Sequence, residues 1–224
     1  MRWTRTANAG GLLETDDGRR ILLDGVCQAL NGYEGTPPAL LDRLLETKLD
    51  LIAFTHSHPD HFLAPFIQDY LRRWPGTVVA GPADVARAAA PYPVTEKIVD
   101  LGGIRFFSVP TRHIGAAARH TPHLSFVLQT GSTCLWFTGD AAPVQSPPLP
   151  PLPRADVLLA SYAYAATEAG WQTAAATGAG TMILLHLPRP AEDPAALWPA
   201  VQAVRRRHQT PRLLIPGLGE TLSL

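Results

Sequence analysis

Cysteine is almost missing from this 224-residue chain, which holds only Cys27 and Cys134. Two thiols cannot build a disulfide framework. Both sit beside apolar residues and read as buried thiols of a reducing cytoplasm. Lysine is as scarce, at Lys48 and Lys97, and arginine supplies the remaining basic residues. The 19 basic residues are matched by 19 acidic ones. Without a positive excess, a nucleic-acid partner or an anionic membrane surface is not expected. No apolar run reaches the roughly 18 residues of a membrane-spanning helix, and residues 1–6 lack the apolar centre of a signal peptide. No sequence repeat recurs at a fixed period. The remaining composition, 46% hydrophobic and 17% charged, is that of a globular enzyme forming one domain over residues 1–224.

What is present alternates between strand and helix patterns. Leu12-Leu13 and Ile21-Leu22-Leu23 flank the turn residues Asp16-Asp17-Gly18 and predict two paired strands. Thr36 is expected to cap a helix that begins with Pro37 and Pro38 and buries Leu40, Leu41, Leu44 and Leu45. An apolar run over 49–54 predicts a strand, 65–74 a helix, 77–80 a strand and 82–90 a short helix. Four strand-like runs follow, at 98–99, 105–109, 124–129 and 134–138. The proline-rich stretch 143–153 favours an extended surface crossing. Strand 157–160, helix 167–177, strand 182–185, a helix started by Asp193 and Pro194, and two last strands complete a layered α/β pattern.

Chemistry concentrates in one place. Residues 55–61 read Thr-His-Ser-His-Pro-Asp-His, directly after the apolar 49–54 run. Pro59 cannot continue a strand, so the cluster lies on a loop at the strand's end. Imidazoles and a carboxylate this dense point to a metal site. Asp24, His113, Asp140 and His186 each follow a further apolar or β-prone run, and strand ends gathered at one edge converge. Two ions can then be held: one by His56, His58 and His113, the other by Asp60, His61 and His186, with Asp140 bridging. His120 and His123 remain alternatives to His113 as the third ligand. The nitrogen and oxygen donor set suits zinc, with manganese or iron also compatible. Asp24 is left over by this count and is expected to orient a ligand or a loop amide.

His56-Ser57-His58-Pro59-Asp60-His61 resembles the H-x-H-x-D-H signature of the metallo-β-lactamase superfamily. Asp24, His113, Gly139-Asp140 and His186 match its other ordered landmarks. The resemblance covers nearly the whole chain. It implies an α/β fold of αββα four-layer type: two mixed β-sheets face to face, helices on both outer faces, and a dinuclear centre at one edge. Asn8-Ala9-Gly10, Ala155-Asp156-Val157-Leu158 and Pro216-Gly217 are similar to the compact, lactonase-like branch.

The activity expected is metal-dependent hydrolysis of an ester, lactone or phosphodiester bond in a small molecule. Asp60 would orient the attacking water as well as bind metal, and His123 or Tyr162 would protonate the leaving oxygen. Arg112 and Arg119 would hold an anionic substrate. The competing readings are a nucleic-acid-processing phosphodiesterase, disfavoured by the neutral charge, and a non-catalytic module that binds metal only to fold.

Overall fold

Strands form where apolar residues run unbroken or alternate, and in the computed structural model, which describes residues 1–224, they assemble into two mixed sheets. The chain divides into two compact units, Met1–Lys97 with Pro216–Leu224, and Ile98–Ile215. No helix is long and apolar enough to cross a membrane.

The first unit holds β1 (Arg2–Arg5), β2 (Gly11–Glu14), β3 (Arg20–Leu23), β4 (Leu51–Ala53), β5 (Val78–Ala80) and the C-terminal strand Thr221–Ser223. These order as a six-stranded sheet with the C-terminal strand at one edge, followed by β1 to β5 in sequence. Its early strands pair antiparallel, whereas β3–β4 and β4–β5 are parallel. Three helices belong to this unit: α1 (Pro38–Glu46), α2 (Ala64–Arg73) and α3 (Ala83–Ala89). All three residues of β4 are fully buried, as its unbroken apolar sequence requires of a parallel strand. Helix α2 buries Phe66, Ile67, Tyr70 and Leu71 on one face, at the spacing of one helical stripe.

Two details depart from expectation. Pro37, not Thr36, occupies the cap position of α1, and no side chain caps that helix. The Thr36 hydroxyl instead accepts the backbone N–H of Cys27 at 3.1 Å. Strand β1 had no clear sequence signal, since Arg2 and Arg5 bracket it. Arg5 is nevertheless buried, its guanidinium donating to the carbonyls of Ala7, Asn8 and Pro216.

One core bond carries a direct test. The Tyr70 hydroxyl accepts the Leu49 N–H at 2.7 Å and donates to the Thr47 carbonyl at 3.0 Å. It thereby fixes the entry to β4. Tyr70→Phe is expected to lower stability by about 1–3 kcal/mol, the cost of leaving that buried N–H without an acceptor. Urea unfolding with an unchanged slope would measure it.

The second unit holds β6 (Val99–Asp100), β7 (Ile104–Pro110), β8 (Leu124–Thr130), β9 (Thr133–Phe137), β10 (Val157–Ser161), β11 (Thr181–Leu185) and β12 (Arg212–Leu214). They order in sequence across a seven-stranded sheet. Strands β6 to β9 pair antiparallel and β9 to β12 parallel. Helices α4 (Glu168–Ala176) and α5 (Leu197–Arg205) bury Trp171, Ala174, Val201 and Val204 against Leu158, Ala160, Met182 and Leu184. Thr167 caps α4, its side chain accepting the Gly170 N–H. Helix α5 starts at Leu197, not at Asp193; the Asp193 carboxylate reaches forward to the N–H groups of Leu197 and Trp198. A short 3-10 turn at Pro190–Glu192 occupies the intervening chain. The proline-rich stretch crosses the surface, and its Leu149 and Leu152 pack with Val109, Val127 and Cys134. Neither cysteine is in a disulfide, and both are buried.

Candidate metal centre

The parallel strands β3 and β4 end at the same sheet edge, and both deliver polar residues there. This is the edge where open α/β sheets bind ligands. Asp24, the first residue after β3, is fully buried. Its Oδ1 accepts the Thr55 N–H at 2.7 Å. Its Oδ2 accepts the Thr55 hydroxyl at 2.6 Å and the His61 Nδ1–H at 2.8 Å. Burial pushes the Asp24 carboxyl above its usual range, while the bonds from His61 and Thr55 pull it back down. Having donated to Asp24, the Thr55 oxygen is left to accept from His56 Nδ1, 3.0 Å away. One carboxylate thus sets the orientation of two imidazoles. In both, Nδ1 carries the proton, so Nε2 presents a lone pair.

The 55–61 loop is braced from two further sides. Ser57 donates its N–H and hydroxyl to Asp84 Oδ2, at 3.2 and 2.6 Å. The N–H groups of His61 and Phe62 both donate to the His58 carbonyl, which folds the end of the loop into a tight turn. The His56 ring lies 4.4 Å from that of His58 and 4.2 Å from that of His61, centroid to centroid. Asp60 is buried on the same turn, while His58 is partly exposed. Asn8-Ala9-Gly10 packs against the back of Asp24. A Cβ on Gly10 would stand 2.0 Å from the Leu23 carbonyl oxygen, so no larger residue fits there without moving the carboxylate's backbone.

In the second unit, one edge of its own sheet gathers His113 after β7, His123 before β8, Asp140 after β9 and His186 after β11. All four are buried. Asp140 Oδ2 lies 3.4 Å from His186 Nε2 and 3.7 Å from His113 Nε2. Ligands about 2.0–2.1 Å from a tetrahedral ion stand roughly 3.3–3.4 Å apart, so this spacing suits atoms arranged about a cation. His113 donates Nδ1–H to the Ile114 carbonyl at 2.6 Å, which again leaves Nε2 as the donor atom. Asp24 and His186 both take positive φ, 41° and 58°, a region costly for residues other than glycine. Gly139, at φ 51°, makes the turn that aims Asp140.

His123 is engaged at both ring nitrogens. Its Nε2 accepts the Asp140 N–H at 3.0 Å, and Nδ1 lies 2.7 Å from the Thr111 hydroxyl. It holds the Asp140 backbone in this arrangement, and proton donation by His123 would require one of these bonds to break. Tyr162 follows β10 with its ring 5.8 Å from that of His186. Arg112 is exposed, and its guanidinium donates to the Val144 carbonyl. Arg119 instead donates to its neighbour His120 on an exposed stretch of the loop.

Several supporting residues were not singled out from sequence. Asp84 lies in the first turn of α3. Gln145 lies in the proline-rich stretch, yet its side chain accepts the Arg112 N–H and donates to the carbonyls of Arg112 and Ala142. Together with the Ile114 N–H to Asp140 carbonyl bond, it stitches the chain beside His113 to the chain beside Asp140. No sequence spacing reveals that pairing.

Nitrogen lone pairs fixed by bonds at the opposite ring atom, together with carboxylates and without thiolates, fit a divalent cation. The fold and this edge define a protein of metallo-β-lactamase type. Residues 19–187 match a family model described as the beta-lactamase superfamily domain, and the chain belongs to that family. No curated protein sequence matches it. Among solved structures it is similar to a possible metal-dependent hydrolase from Veillonella parvula, at 14% identity and TM-score 0.72, covering 100% of this chain and 99% of that one. It is also similar to the metallo-β-lactamase fold protein YhfI from Bacillus subtilis, at 19% identity and TM-score 0.66, covering 99% and 98%. A third similar structure is Igni18, a metallo hydrolase from Ignicoccus hospitalis, at 16% identity and TM-score 0.67, covering 99% and 97%.

Proposed function

We propose that the protein is a metal-dependent hydrolase that cleaves an ester, lactone or phosphodiester bond of a small molecule. His56, His58 and His113 would hold one divalent ion, Asp60, His61 and His186 a second, and Asp140 would touch both. Zinc suits the donors, with manganese or iron compatible. When bound, such ions lower the pKa of water towards neutrality and polarise a carbonyl or phosphoryl oxygen.

The remaining work falls to the chain's own residues. Asp24 fixes His61 directly and His56 through Thr55, so that ligand nitrogens need not reorganise on loading. His123 and the Gly139 turn hold Asp140 in place. Asp60 accepts a hydrogen bond from the attacking water and orients it. Tyr162, beside His186, supplies a phenolic proton to the leaving oxygen. Arg112 offers charge to an anionic substrate.

The observation that carries this reading is Asp140 Oδ2 within 3.4 and 3.7 Å of two histidine nitrogens. Two buried imidazoles from different strand ends thus converge on one carboxylate oxygen, at the spacing of ligands around a cation. The test is a panel of nitrophenyl esters, lactones, β-lactams and phosphodiesters, assayed with protein reconstituted in zinc, manganese or iron. Turnover of at least one ester, lactone or phosphodiester, abolished by chelation and by His58→Ala, is expected. Turnover equal in parent and His58→Ala on every substrate would end the proposal. Salt-sensitive RNA binding would favour the nucleic-acid alternative.

A further inference from the structure

A second feature of the same unit lies beside these ligands and is not used by the ligand set. Between the chain after Asp140 and the helices α4 and α5 runs a cleft of about 440 Å³. That volume is within the roughly 300–1,000 Å³ usual for small-ligand sites. Its walls are apolar and small: Ala166 and Ala169 on one side, Leu197 and Ala200 on the other. Alanine at these positions leaves open the space that larger side chains would fill. Val144, at 61% exposure, lies at the rim and is one of the few large apolar side chains the protein shows to solvent. Water gains by leaving such a surface when an apolar group covers it.

The cleft starts where the candidate ligands end. Ala142, two residues past Asp140, lines it, and so does Tyr162, whose ring is 5.8 Å from that of His186. No acidic side chain lines it, and its single charged residue is Arg112. The Arg112 guanidinium spends one N–H on the Val144 carbonyl at 2.7 Å and is held in no ion pair. An alkyl chain therefore fits the walls, a neutral or negative group fits the rim, and an ammonium group is repelled.

We propose that this cleft is an acyl pocket, which takes the aliphatic chain of an ester or lactone substrate whose reacting carbonyl lies at the Asp140 and His186 end. This rests on the hydrolase reading and narrows it: a carboxylic ester or lactone with a chain of several carbons, in preference to a phosphodiester. Each methylene moved from water into such walls is worth roughly fourfold in binding. Because the chain stays in the cleft during reaction, that gain appears in kcat/KM.

The experiment uses metal-loaded protein and two readouts. Nitrophenyl esters from acetyl to hexanoyl should rise in kcat/KM by roughly two orders of magnitude across the series, at the fourfold step per methylene. Calorimetric titration should show hexanoate binding more tightly than acetate, and hexylammonium more weakly than hexanoate. Ala169→Phe and Ala200→Phe, on different helices, should each reduce the hexanoyl-to-acetyl ratio at least tenfold and weaken hexanoate; either variant suffices if the other misfolds. Ester turnover with a flat chain-length series, or with a preference that neither variant moves, overturns the pocket and leaves the hydrolase reading standing. Hexanoate binding that both variants weaken, without turnover of any ester or lactone, supports the pocket and counts against the hydrolase.

Discussion

Asp140→Ala is expected to lower kcat/KM on the best substrate of the panel by more than the about 100-fold that bounds loss of a hydrogen-bonding partner to a ligand. Two imidazoles, His113 and His186, face one oxygen of this carboxylate. Removing it takes away the negative charge between them and the one donor shared by the proposed ions. The backbone should hold, because the Asp140 N–H still donates to His123 Nε2 and its carbonyl still accepts from Ile114. Stability without metal should consequently change little, while activity and metal content fall together. Asp140→Asn separates charge from shape, since it retains an oxygen of similar placement but cannot offer an anion to both rings. Both variants are followed by steady-state kinetics beside metal analysis. Activity within a few-fold of the parent would remove Asp140 from the centre.

Asp24→Ala should act in the opposite order, on stability first. The buried Asp24 carboxylate satisfies the Thr55 N–H, the Thr55 hydroxyl and His61 Nδ1, and alanine leaves all three without it. A loss of about 3–5 kcal/mol is expected, since each buried donor left without an acceptor costs about 1–3 kcal/mol. Alanine also tolerates the φ of 41° less well than aspartate does. Asp24→Asn, which accepts that backbone and keeps one acceptor oxygen, should lose less. In protein that still folds, metal affinity should drop by about 10–100-fold, because His61 is no longer aimed by its carboxylate. Denaturant unfolding and competitive metal titration read the two effects separately. An Asp24→Ala protein with parental stability would show that the carboxylate is not the anchor described here.

The parts of the site legible in the sequence were those written contiguously or at strand ends. Residues 55–61 announce themselves because chain neighbours at a strand end can share a ligand. The Asp24 anchoring role was legible as a leftover carboxylate, but its three partners were not. Asp84 and Gln145 were invisible for a related reason: each reaches a segment remote in sequence, Ser57 and Arg112, through a side-chain bond that no periodicity encodes. The positive φ of His186 is likewise a property of the fold, since histidine gives no hint of it.

For the fold, strong apolar runs such as β4 and the amphipathic face of α2 sufficed. Elements whose ends are set by side-chain bonds did not come out in register. The start of α5 shifted because the Asp193 carboxylate caps from outside the helix. Strand β1 carries no apolar run and is bracketed by Arg2 and Arg5, although Arg5 is buried against three carbonyls. At α5 the deciding bonds span only four and five residues, whereas at β1 the burial of Arg5 draws on Pro216, distant in the chain.

Native mass spectrometry of reconstituted protein, with hydrolysis assayed on the same samples, tests the proposed two-ion hydrolytic centre most directly. Two ions per parent chain are expected, with activity rising as the second is bound, and fewer than two in Asp140→Ala. A chain that takes up no metal after careful reconstitution, or hydrolyses its substrate equally well without any, would contradict it.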